Sequence, residues 1–268
     1  MSNWLSGDVL ANGIRVHYFR TGGDKPPLVL AHGITDDALC WGPVARVLER
    51  DHDVIMVDAR GHGLSEVPRT GYAWDDLCED LAAVIRVLGL ERPRLIGHSM
   101  GAETVAQVAA RYQDLVGCAV LEDPPWSDPE PSPAERQASI EGFRSSITER
   151  QRQTREQLVA LCRAQSPTWA EEELDPWAAS KLLVSPRVAH IAGSRRAPWR
   201  ETASNIAAPT LLITADPGKA IVVPKVAQEA VRLMQRGREL HIAGAGHCIH
   251  REQFSLAMSG VEQFLQEA

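Results

Sequence analysis

At 268 residues the chain has room for one large α/β domain or two small ones, and its core needs no metal or disulfide staple. With 44% hydrophobic and 24% charged residues its composition is that of an ordinary globular protein. A net charge of −7 without any basic cluster excludes nucleic acid as an expected partner, and no apolar run is long enough to cross a bilayer.

From the N-terminus, "DVLANGIRVHYF" places Asn12-Gly13 between two strand-like pieces, a hairpin signal. The runs "PLVLAHG", "DVIMVDARGHG", "RLIGHSMG", "CAVLEDPPW", "TLLITADPG" and "ELHIAGAGH" follow. Each has the length of a buried strand and stops in Gly, Asp or His. Helical stretches lie between several of them. In "YAWDDLCEDLAAVIRVLGL", Leu77, Leu81, Val84, Ile85 and Leu88 share one face and Gly89 stands near the end. "AETVAQVAARY" follows "GHSMG" directly, and "REQFSLAMSGVEQFLQE" comes last. This alternation predicts a mostly parallel sheet with helices on both faces.

Residues 125–206 break the rhythm with polar, proline-containing helical sequence and no strand. They hold Trp126, Trp169, Trp177 and Trp199, four of the seven tryptophans. These either form the core of a helical subdomain or line a pocket beneath an inserted lid, where open α/β sheets bind ligands. The five cysteines are scattered and lack CxxC or Cys/His spacing, so they read as reduced thiols of a cytoplasmic protein that holds no metal. The N-terminal stretch has neither the basic nor the apolar region of a secretory signal. No phosphate loop or dinucleotide fingerprint appears, and no cofactor is expected.

"LIGHSMG" contains G-x-S-x-G as Gly97-His98-Ser99-Met100-Gly101, with a strand before it and a helix after it. That context makes the spacing chemically meaningful. A serine on a tight strand-to-helix turn exposes its Oγ, flanking glycines keep side chains out of the turn, and the helix N-terminus faces developing negative charge.

Together with this motif, "AHG" (Ala31 to Gly33), "DARGHGLS" (Asp58 to Ser65) and "GAGHCIHRE" occur in the order that resembles the α/β-hydrolase superfamily over nearly the full length. The resemblance implies an eight-stranded, mostly parallel sheet with a helical cap inserted after strand six. The core would be 1–124 with 207–268, and the cap 125–206. It further implies backbone N–H groups of Ile34 and Met100 as the oxyanion hole, with the His32 side chain bracing that loop. His32, His98, Trp126 and Trp177 are candidates for the pocket wall.

Of nine histidines, His247 stands where the family places its base, with His250 as competitor; His62 and His98 sit inside other motifs. An imidazole near its ordinary pKa can take the serine proton and return it to a leaving group. Two loops can supply the acid that orients it. The loop after strand seven offers Asp216 in "ITADPGKAIVVP", but the family's usual slot falls near Lys219, and Asp-Pro-Gly also suits an ordinary turn. The loop after strand six offers Asp123 in "LEDPPW", at a spacing from Ser99 that resembles some dehalogenases and lactone hydrolases. Asp123 is favoured and Asp216 kept as the alternative.

A serine at the elbow argues against haloalkane dehalogenases and epoxide hydrolases, which need aspartate there. The expected reaction is acyl transfer to water from a small-molecule ester or lactone, an acylated homoserine lactone among them. Carbon–carbon bond hydrolysis of a diketone uses the same triad, and a non-turnover receptor on the same fold is the alternative outside enzymes.

Overall fold

The computed structural model describes residues 4–268. The strands are β1 (Leu5–Ala11), β2 (Ile14–Arg20), β3 (Pro27–Ala31), β4 (Asp53–Val57), β5 (Arg94–His98), β6 (Cys118–Glu122), β7 (Thr210–Thr214) and β8 (Gly237–His241). The helices are α1 (Gly42–Leu48), α2 (Trp74–Val87), α3 (Met100–Arg111), α4 (Pro133–Arg150), α5 (Arg155–Gln165) and α6 (Glu171–Leu183). After these come α7 (Ala189–Gly193), α8 (Trp199–Ser204), α9 (Pro224–Leu233), α10 (Ile249–Glu252) and α11 (Phe254–Glu267).

One sheet runs in the order β1-β2-β4-β3-β5-β6-β7-β8, antiparallel at β1 and β2 and parallel from β4 onward. Every residue of β4, β6 and β7 is buried, which is why the centres of these segments read as continuous apolar runs and not as alternating ones. The β1–β2 turn takes Asn12 at φ 49° and Gly13 at φ 78°, the left-handed pair that matches the twist of a two-residue hairpin.

Two apolar layers cover the sheet. One joins Val29, Ile55 and Leu95 to α2, α3 and α9; the other joins Leu28, Leu30 and Val54 to α1 and α11. In α2 the expected stripe of Leu77, Leu81, Val84 and Ile85 is buried, and Leu88 is the partly buried residue at its end. Gly89 follows at φ 63°, its N–H donating to the Arg86 carbonyl at 3.1 Å to close the last turn.

Between β6 and β7 the chain leaves the sheet for the five helices α4 to α8, and no strand lies there. Ser132 and Glu135 start α4 as a reciprocal cap: the Glu135 N–H donates to Ser132 Oγ at 3.3 Å, and the Ser132 N–H to Glu135 Oε2 at 2.7 Å. Among the described residues no helix is long and apolar enough to span a membrane.

Candidate active site

The carboxyl ends of β3, β5 and β6 and the loop after β8 converge on one place, as parallel sheets dictate. Ser99 follows β5 and precedes α3 with φ 53° and ψ −113°, outside the regions a side chain ordinarily adopts. The two motif glycines make this turn possible. A Cβ on Gly97 would lie 2.2 Å from the Gly101 carbonyl oxygen, and one on Gly101 would lie 2.0 Å from the Ala31 carbonyl oxygen. Both are clashes with backbone: the first would part β5 from α3, the second α3 from β3. Gly101→Ala is therefore expected to destabilise the fold by about 3 kcal/mol, or to prevent folding, in urea titrations. A wild-type midpoint would show that the elbow is less tightly held than these contacts require.

His247 lies in the loop after β8. Its Nε2 is 3.0 Å from Ser99 Oγ, and its Nδ1 is 2.5 Å from Asp123 Oδ2. Asp123 follows β6 in a left-handed conformation (φ 43°) and is fully buried. Its charge is matched by backbone: Ile221 N–H donates at 3.0 Å to Oδ2 and Val222 N–H at 2.9 Å to Oδ1. Asp216 lies elsewhere. Its carboxylate accepts from Gly244 N–H at 3.1 Å and from Lys219 Nζ at 3.2 Å, which makes it the turn residue its sequence also suits.

The competitor His250 is paired differently. Its Nδ1 sits 2.8 Å from Glu122 Oε2, its backbone N–H donates to Glu122 Oε1 at 3.0 Å, and its ring stacks on Trp41. Neighbouring carboxylates at the end of β6 thus hold two nearby histidines, Asp123 taking His247 of the loop after β8 and Glu122 taking His250 of α10. Glu252 at the end of α10 ties back to the loop after β8 by accepting from Gly246 N–H at 2.7 Å.

His98 donates from Nε2 to the His247 carbonyl at 2.9 Å. Burial pushes its pKa down to about 3, so it stays neutral. His32 donates from Nδ1 to the Gly33 carbonyl at 2.8 Å and accepts from Ala59 N–H at 3.0 Å. The side chain therefore braces the loop carrying Ile34. "DARGHGLS" serves the same end. Asp58 accepts from Ala38 N–H at 2.7 Å and Leu64 N–H at 2.9 Å, while Arg60 forms a buried ion pair with Asp80 at 2.5 Å.

A cavity of about 610 Å³ opens over Ser99, lined by Ile34, Met100, His98, His247 and Trp177 among others. Met100 is the first residue of α3, so its N–H has no acceptor within the helix. Two expected wall residues lie outside the cavity. His32 is turned into the loop it braces, and Trp126 is fully buried against α3, donating from Nε1 to Glu103 Oε2 at 2.7 Å and stacking on Trp199. Trp126 failed as a wall residue because a buried indole needs an acceptor, and Glu103 supplies one inside the core.

Sequence reasoning missed a buried ion network at the cavity edge. Lys181 Nζ meets Asp36 Oδ1 at 2.5 Å, and Arg251 meets Asp36 Oδ2 at 3.0 Å and Glu173 Oε2 at 3.2 Å. Burial opposes ionisation of Asp36, but Arg251 and Lys181 hold its carboxyl well below the usual range. No local pattern could have paired residues from the β3 loop, α6 and α10.

Asp37, the neighbour, forms no ion pair among the described residues, and Lys181 offsets its burial only in part. Burial first, then repulsion from Asp58 and Asp36, raises its pKa to about 7. The folded state therefore holds this proton more tightly than the unfolded chain does, and the benefit present below pH ~4 is lost as pH rises through ~7. Asp37→Asn keeps an oxygen for the Cys40 N–H, which Asp37 accepts at 3.3 Å. It is expected to leave the pH 4 melting point near wild type and to raise the pH 8 one by several degrees. Equal shifts at both pH values would refute the assignment.

The model of the alpha/beta hydrolase fold family matches residues 26–253. The chain belongs to this family. N-formylmaleamate deformylase of Pseudomonas putida is 43% identical over 131 residues, 48% of this chain and 49% of that one. The chain thus spans about half the length of that curated relative. Esterase YbfF of Escherichia coli is 26% identical over 268 residues, covering 95% of this chain and 98% of that one. The crystal structure of E-2-(acetamidomethylene)succinate hydrolase superposes with a TM-score of 0.84 at 23% identity, covering 98% of this chain and all of that one, a likeness of fold. This α/β hydrolase carries Ser99 at the turn between β5 and α3.

Proposed function

We propose that this α/β hydrolase is a serine hydrolase cleaving a carboxylic ester or lactone through an acyl-enzyme. The observation that carries the reading is the unbroken line from Asp123 Oδ2 through His247 to Ser99 Oγ, at 2.5 and 3.0 Å, opening into the cavity. Asp123 accepts the Nδ1 proton of His247 and so leaves Nε2 free as the base. Ser99 Oγ attacks the carbonyl as Nε2 takes its proton, and the N–H groups of Ile34 and Met100 receive the oxyanion. His247 then returns the proton to the leaving alcohol. In the second half-reaction it deprotonates the water that frees Ser99. Residues 125–206 act as a cap over the core of 1–124 and 207–268, contributing Trp177 and Trp169 to the cavity wall.

One observation favours a second reading, cleavage of an amide. The Pseudomonas putida relative is named a deformylase of N-formylmaleamate. The same groups serve, with His247 protonating a leaving nitrogen. Turnover of p-nitrophenyl butyrate by wild type and its loss in Ser99→Ala test the shared chemistry. Turnover that survives in Ser99→Ala removes it.

A further inference from the structure

Five charged side chains line the cavity: Asp36, Arg150, Lys181, Arg196 and Arg251. Two of the four cations are spent, since Lys181 and Arg251 are held by Asp36 and Glu173. Arg150 and Arg196 are not. Among the described residues neither forms an ion pair. The Arg150 guanidinium lies 5.4 Å above the Trp177 ring. Arg196 is more exposed in its demand: Nε and Nη2 are buried without an acceptor. Glu103, whose field reaches Arg196, gives its two oxygens to Gln107 and Trp126, each at 2.7 Å.

A guanidinium cannot shed its proton to escape this position, and buried N–H donors without acceptors are costly. Both arginines line the cavity, and among the described residues neither meets a carboxylate, so an anion bound there would face two unpaired cations. A planar carboxylate matches the paired donors of arginine better than a neutral carbonyl does, because both oxygens accept and the charge is complementary. Both arginines belong to the insertion, Arg150 ending α4 and Arg196 lying between α7 and α8, whereas Ser99, Ile34 and Met100 come from the core.

We propose that Arg150 and Arg196 form a carboxylate subsite, and that the substrate is an acyl compound bearing a free carboxylate besides the carbonyl attacked by Ser99. The anionic end then binds at the insertion and the scissile carbonyl at the core. This rests on the serine-hydrolase reading but can fail separately from it.

The test compares monomethyl succinate with methyl butyrate, esters of the same length that differ by a carboxylate in place of a methyl group. Wild type is expected to show a kcat/KM ratio of at least about 10 in favour of the succinate ester, and Arg150→Gln and Arg196→Gln to bring that ratio toward one. The ratio is the readout because misfolding or loss of packing lowers both rates together. A wild-type ratio near one, or a ratio unmoved in both variants, overturns the subsite and leaves the hydrolase intact. If neither ester turns over, calorimetric titration of wild type with succinate decides. Binding that weakens about tenfold or more in the arginine variants retains the subsite and rejects only ester hydrolysis. No succinate binding overturns the subsite.

Discussion

Alanine in place of Ser99 is expected to lower kcat for p-nitrophenyl butyrate by on the order of 10⁵ to 10⁶, with little change in melting temperature. The substitution removes one buried oxygen and adds no atom, and the strained backbone at φ 53° is set by the glycines around it and not by the hydroxyl. What remains is the residual rate that oxyanion donors and binding provide without a nucleophile. The thiol of Cys248 also borders the cavity. Burial pushes it up to about 12, so no thiolate is present at neutral pH to replace the serine. If Ser99→Ala keeps a tenth of wild-type kcat, some other group performs the attack and the acyl-enzyme at Ser99 is wrong.

Some of this site was legible in the sequence and some was not, and the difference is one of range. The elbow is a local steric problem: two glycines must flank the serine because neighbouring backbone leaves no room for a Cβ, and that demand is written within five residues. The strands were legible because parallel strands buried on both faces are apolar through their centres, as β4, β6 and β7 are. The wall of the cavity was not. Trp126 and Trp177 each directly follow a proline in the insertion, and which of them meets the cavity depends on whether Glu103 or open space lies opposite. Arg150 and Arg196 are likewise ordinary surface-type arginines until the fold shows that no carboxylate answers them.

The identity of the acid falls between these cases, and it gives the second large effect. Asp123→Asn is expected to lower kcat by on the order of 10³ to 10⁴, while Asp216→Asn stays within about twofold of wild type. The loop "AIVVP" explains the contrast. Its sequence resembles the stretch that follows the acid when strand seven supplies it, yet here Ile221 and Val222 turn their N–H groups toward Asp123 from across the sheet. An asparagine at 123 has one oxygen to serve those donors. With that oxygen on Ile221 and Val222, its NH₂ faces His247 Nδ1, 2.5 Å away in the native pair. Two donors cannot share that contact, so the imidazole either turns away or moves its proton to Nε2, where it can no longer accept from Ser99. Asp216 meets only Gly244 and Lys219, and its amide would keep an acceptor for the Gly244 N–H. Circular dichroism must first show both variants folded, since Asp123 is buried and Asp216 is partly exposed. A collapse of kcat in Asp216→Asn with Asp123→Asn near wild type would mean that the loop after β7 moves during catalysis to bring Asp216 to His247. The pairing at the end of β6 would then be a resting arrangement.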